Sequence, residues 1–220
     1  MPSANPRNES AICDVLSAPR AATYVTAAGG DKAEAMALYG WNARVSAALM
    51  LPSHFAEIAV RNAAAESITA NHGTNWPWEA GFERTLPSPT GHRTFNPRRE
   101  LVRVRNWQMT TGKVIAELKF AFWQSMFTAR HNVHLWDPHI LTLFPNASGM
   151  TARQLRQRIY DDLEVIRQLR NRIAHHEPIF TRNLQDDLMR ILELIELRST
   201  PTIDWVLDME DVSSILTERP

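Results

Sequence analysis

The run Arg170-Asn171-Arg172-Ile173-Ala174-His175-His176 puts permanently charged and titratable side chains side by side. Arginine stays protonated, whereas histidine titrates near neutrality. Together they suit phosphodiester chemistry. The imidazole moves a proton, and the guanidinium stabilises the charge that builds on a pentavalent phosphorane. Pro178 stops any helix that carries this run, because the residue before a proline resists helical geometry. Both histidines then fall in the last turn, where the helix dipole favours the imidazolium. Arg170 and His175 are five positions apart, a rise of about 7.5 Å, so a regular helix does not point them the same way. Asn171 and His175 are four apart and share a face, so the amide can orient the imidazole. The plain alternative is that Arg and His here only cap helix carbonyls.

The elements that must position these groups read as all-α. Glycine is scarce and strand-like alternation is almost absent, while apolar residues recur at helical spacing. The pattern predicts a polar, frayed tail over 1–13, a single helical domain over 14–207 and a helical tail over 208–220. Within the domain, one helix spans Asp14 to Ala28 and stops at Gly29-Gly30. A second starts near Asp31 and carries Leu38, Val45 and Leu49. Pro52 opens a third, running through Phe55 and Ile58 to about Asn71. Residues 72–97, rich in Pro and Gly, form a long irregular connection with at most a short helical turn. Helices follow over Arg98 to Met109 and Lys113 to Thr128, with a short one from Asp137-Pro138 to Phe144-Pro145. Thr151 caps the longest helix, whose buried stripe is Leu155, Ile159, Leu163, Ile166, Leu169 and Ile173. Asn183 caps the next, and Trp205, Val206 and Leu207 lie in a short last piece. Trp41, Trp123, Trp136 and Trp205 are expected in the core.

Composition narrows the function classes. Formal net charge is zero over 220 residues, so no overall field draws in nucleic acid and any anion site is local. Lys32, Lys113 and Lys119 are the only lysines among 24 basic residues; arginine suits bidentate phosphate contacts. Cys13 is the sole cysteine, which excludes an intrachain disulfide or cysteine-zinc framework and fits a reducing cytoplasm. No apolar run approaches the roughly 20 residues of a membrane span, and no secretory signal or lipidation box is visible. No glycine-rich phosphate loop supports nucleoside triphosphate hydrolysis, and no Ser or Cys elbow supports a nucleophilic hydrolase. No metal or cofactor is expected.

Several further groups admit two readings. Glu57 and Arg61, one helical turn apart, have the spacing of a favourable ion pair; either Glu57 fixes the Arg170 guanidinium while Arg61 meets phosphate, or the ion pairing is structural and stitches two bundle helices. Asn62 belongs to the same polar network or satisfies backbone. His131, His134 and His139 flank Asp137, but their spacing fits no helix-face metal pair. Arg93, Arg98, Arg99, Arg103 and Arg105, with Trp76, Trp78 and Trp107, form either a basic-aromatic strip for single-stranded RNA or a solvated face, with the tryptophans anchoring the long loop.

Four segments, in order and spread along most of the chain, carry a family resemblance: Leu38-Tyr39-Gly40-Trp41-Asn42, Glu57-Ile58-Ala59-Val60-Arg61-Asn62, Phe120-Ala121-Phe122-Trp123-Gln124-Ser125-Met126-Phe127, and Arg170 through Phe180. The chain resembles the Abi-like, abortive-infection family of HEPN proteins. The resemblance implies a HEPN-like helical bundle with additional helices. It implies a homodimer whose two Arg/His motifs face one cleft, and metal-independent endoribonuclease activity of phage-defence or toxin type. There the ribose 2′-hydroxyl attacks the adjacent phosphate and leaves a 2′,3′-cyclic phosphate. Arg170 stands at the phosphate-stabilising position, His175 at the acid–base position and Asn171 at the polar position after the motif arginine. His176 sits where a longer gap also fits, though His175 has the four-residue gap. RNA is the implied partner, as substrate or regulator, and an antitoxin the implied restraint. The other readings are a non-catalytic RNA-binding HEPN module and a structural helical dimer.

Overall fold

A computed structural model describes residues 6–91 and 94–220, with side chains from residue 11 onward. Its regular elements are all helical, with no strand among the described residues. In chain order they are α1 (Pro6–Leu16), α2 (Ala18–Ala27), α3 (Lys32–His72), α4 (Ala80–Thr85), α5 (Pro97–Arg105), α6 (Thr111–Glu117), α7 (Phe120–Met126), α8 (Ile140–Leu143), α9 (Ala152–Ala174), α10 (Leu184–Arg198), α11 (Thr200–Leu207) and α12 (Val212–Thr217). A 3-10 turn at Trp76–Trp78 precedes α4, and a π-helical turn at Asn132–Trp136 precedes α8. Helix α3 is the axis, and α2, α7, α9, α10 and α12 pack around it. No described helix is long and apolar enough to cross a membrane.

The largest departure from expectation is α3. Two helices meeting near Pro52 were predicted, but one helix of 41 residues runs through that proline. Proline has no N–H to donate and its ring crowds the carbonyl one turn back, which normally costs about 3 kcal/mol. Burial offsets this. Trp41, Val45, Leu49, Pro52, Ala56 and Val60 form one unbroken buried stripe across the proline. Asp31 caps the start, accepting hydrogen bonds from the Ala33 and Glu34 N–H groups.

Other boundaries also shift for local reasons. The helix expected over 14–28 breaks at Ser17, which has φ 72°, and Pro19 then sits in the first turn of α2, where its missing N–H is harmless. The tail expected over 1–13 is helical from Pro6. The connection over 72–97 holds the 3-10 turn and α4. The single helix expected over 113–128 is split, because Leu118 and Lys119 are extended (ψ 131° and 153°). The split lets α6 lie on the Trp76–Trp78 turn while α7 packs on α3 and α9. Trp41, Trp123 and Trp136 are core as expected, but Trp205 is 55% exposed. Helix α11 buries Ile203 and Val206 instead, leaving Trp205 edge-on to Phe55 at 5.2 Å.

Candidate functional site at the end of helix α9

Thr151 starts α9 with a capping box: its side chain takes the Gln154 N–H, and the Gln154 side chain takes the Thr151 N–H. The far end is a Schellman motif. The His176 N–H donates to the Ile173 carbonyl at 3.0 Å, and the Glu177 N–H to the Arg172 carbonyl at 2.8 Å. This requires one left-handed residue, and His176 fills the place with φ 54°. Glycine usually sits there.

The two histidines therefore differ in kind. His175 is the last residue of near-helical geometry (φ −90°, ψ 7°), exposed, with its backbone N–H donating to the Asn171 carbonyl. His176 is the exposed left-handed residue, and its carbonyl accepts from Arg20 on α2 at 2.7 Å. Asn171 is exposed. The expected hydrogen bond between the Asn171 amide and the His175 ring does not occur among the described contacts.

The chain after the helix is held hard in place. Arg172 donates twice to the Pro178 carbonyl, from Nε at 3.2 Å and Nη2 at 2.7 Å. Asn42, buried on the face of α3, accepts the Ile179 and Phe180 N–H groups on its Oδ1 at 2.8 and 3.1 Å. The Tyr24 ring joins Tyr39 on one side and Phe180 on the other, at 4.6 and 5.2 Å. These clamps lay outside the expected site. A polar residue at position 42, on an otherwise apolar stripe, is the signal that marks the first of them.

Arg170 reaches into the junction of α3, α7 and α9. Its Nη1 lies 2.7 Å from Glu57 Oε2, and its guanidinium carbon sits 5.1 Å from the centre of the Phe120 ring. Glu57 thus pairs across helices with Arg170. The Nε–H groups of Arg170 and Arg61 are both buried with no acceptor among the described residues. Asn62 does not join them: it is exposed and lines a separate groove of about 440 Å³ with Phe55 and Ile195.

The arginines of α5 have structural partners. Arg98 donates to the carbonyls of Glu83, Arg84 and Leu86, closing the C-terminus of α4. Arg103 grips the buried Glu100 through two hydrogen bonds. Arg105 holds Glu83 and the Pro77 carbonyl. Arg99 is exposed, and Arg93 lies outside the described residues. Trp76 is buried, but Trp78 and Trp107 are exposed and do not anchor the loop.

Arg98 also borders a groove of about 810 Å³ between residues 86–89 and 94–98, α7 and the middle of α9. On that stretch of α9, the Arg167 hydrogen bonds hold the Glu164 carboxyl down at about 2, with Gln124 and Gln168 adding to the effect. His131 is buried, and burial lowers its imidazole to about 4; Asp137 pairs with Arg153. Among the described residues, no three His, Cys, Asp or Glu side chains gather closely enough to hold a metal ion. Set against family models, curated proteins and solved structures, the chain matches none.

Proposed function

We propose that this chain is an endoribonuclease of the Abi-like HEPN type, with His175 as the proton-transferring group and Arg170 as the phosphate-stabilising group. One observation carries the reading: the His175 ring stands free at the end of a clamped helix, while Arg170 is held 27% exposed between a carboxylate and an aromatic face. Helix capping alone leaves an arginine on its own helix terminus; Arg170 instead reaches another helix. Arg170 carries five N–H donors, and its side chain stays 27% exposed beside the Glu57 contact, so donors on its open edge are within reach of a phosphate.

The step itself needs no outside reactant. His175 takes the proton of a ribose 2′-hydroxyl, the oxygen attacks the adjacent phosphorus, the P–O5′ bond breaks, and the His175 imidazolium gives that proton back to the leaving 5′-oxygen. The products are a 2′,3′-cyclic phosphate and a 5′-hydroxyl. Because Arg170 and His175, five positions apart at the end of α9, do not share a helix face, the unit proposed is a homodimer in which one chain's arginine serves its partner's histidine. Regulation by an antitoxin or a bound RNA is part of the same proposal.

Incubation with total RNA in the presence of EDTA, followed by end-group analysis, tests it. Cyclic-phosphate ends are expected, with at least about a hundredfold loss in Arg170→Ala and in His175→Ala. Cleavage that survives His175→Ala sinks the assignment. RNA binding by the wild type without cleavage supports the non-catalytic alternative.

A further inference from the structure

Between the end of α9 and α3 lies a recess of about 270 Å³. It is smaller than the usual ligand pocket of about 300–1,000 Å³ and suits one flat heterocycle. Its polar groups are Asn42, Ser46, His176 and Glu177, and Tyr39 supplies an aromatic wall. Ala43 and Ala47, both exposed, complete the α3 side.

The donor and acceptor pattern is fixed by the surrounding fold. Asn42 is 6% exposed, and its Oδ1 is committed to the Ile179 and Phe180 N–H groups. The amide cannot flip, so Nδ2 carries two donors, and these have no partner among the described residues. Glu177 is an acceptor: its Oε2 lies 3.7 Å from Arg172 Nε, too far for a hydrogen bond. His176, with its left-handed backbone, lines the same recess.

We propose that this recess is a guanine site, with Glu177 accepting N1–H and N2–H, Asn42 Nδ2 donating to O6, and the Tyr39 ring against the base. Guanine alone among the four RNA bases offers a carboxylate two parallel N–H donors beside a carbonyl acceptor. Unpaired bases are read in this way, by edge hydrogen bonds and aromatic contact. The inference deepens the ribonuclease reading, since a guanine held beside His176 sits next to the phosphodiester on which His175 acts. It also accounts for a histidine in a seat that glycine fills at lower cost.

Calorimetry on the full chain tests it, with guanosine 3′-monophosphate and its adenosine, cytidine and uridine counterparts as probes. Guanosine is expected to bind at least about tenfold more tightly than the others. Ala47→Phe, an exposed helix position that fills the recess, is expected to abolish binding while circular dichroism shows the fold retained. Glu177→Gln is expected to remove about tenfold of the selectivity, since an amide cannot accept two N–H groups from guanine with its nitrogen in the way. Equal binding of all four, no binding, or binding unchanged in Ala47→Phe overturns the proposal. Mapping cut sites then separates the sources: guanine enriched at a fixed position beside the cut identifies RNA, and selective binding without enrichment identifies a free guanine nucleotide. Absence of RNA cleavage with guanosine selectivity intact removes the ribonuclease reading and leaves the guanine site standing.

Discussion

His176 occupies a conformation that L-residues with a Cβ adopt at a cost of roughly 1–2 kcal/mol. Replacing it with glycine removes that cost. His176→Gly is expected to stabilise the fold by about 1 kcal/mol and raise Tm by roughly 2–4 °C in a thermal melt. An unchanged or lower Tm would show that the imidazole itself makes a stabilising contact. Asn42 has the opposite sign. Asn42→Ala leaves the Ile179 and Phe180 N–H groups without their acceptor in a buried place. A loss of about 2–3 kcal/mol is expected in urea denaturation, with the chain after Pro178 released. A loss well below 1 kcal/mol would mean that water replaces the amide. Neither residue need touch a reacting atom to matter, because both set where the His175 ring can go.

At the scale of elements, the 3-10 turn Ala129–His131, which leads into the π-helical turn, carries a pH response. His131 is buried next to Arg130 and His134, with Nε2 unpartnered, and burial is the main cause of its fall from 6.5 to about 4. In the folded chain it stays neutral, whereas the unfolded chain takes up a proton below about pH 6.5. The His131 contribution to stability is therefore full above that pH, falls as pH drops toward 4, and changes no further below. The loss amounts to about 3 kcal/mol. Urea melts across this range are expected to show it, and His131→Leu is expected to flatten it; an equal slope in the variant excludes His131 as the source.

The elements also show what was legible in the sequence. Helix α9 was, because its cap, its stripe and its stop are all local: Thr151, Leu155 through Leu169, and the turn before Pro178. Pro52 misled, because a local rule met a buried face built by helices far along the chain. Trp205 misled because a tryptophan's type does not say which side of a two-turn helix is covered. The partners of Arg98, Arg103 and Arg105 were hidden for a similar reason. Arg98 and Arg105 meet acceptors on the 77–86 segment, and the Arg103 partner Glu100 is itself buried only by tertiary packing. The Arg170–Glu57 pair across helices fits both readings open at position 57, the fixing of a phosphate-binding guanidinium and the stitching of two bundle helices.

For the whole molecule, the five-residue separation of Arg170 and His175 along α9 makes chain pairing testable. Mixing Arg170→Ala and His175→Ala chains is expected to restore about a quarter of the wild-type RNA cleavage rate. Half of the random dimers are then mixed, and each mixed dimer holds one intact composite site. A site built within one chain would give no recovery. The two halves of the site also hang from a single rod. Asn42 secures the histidine side and Glu57 the arginine side, and both stand on α3 with Pro52 between them. Pro52 lies between the two anchors, so under the proposed function the stretch of α3 that holds it is the gauge block for the spacing between the proposed acid–base and anion-holding groups. A stiffer, more regular α3 made by Pro52→Ala would be a way to detune the site without touching any residue in it.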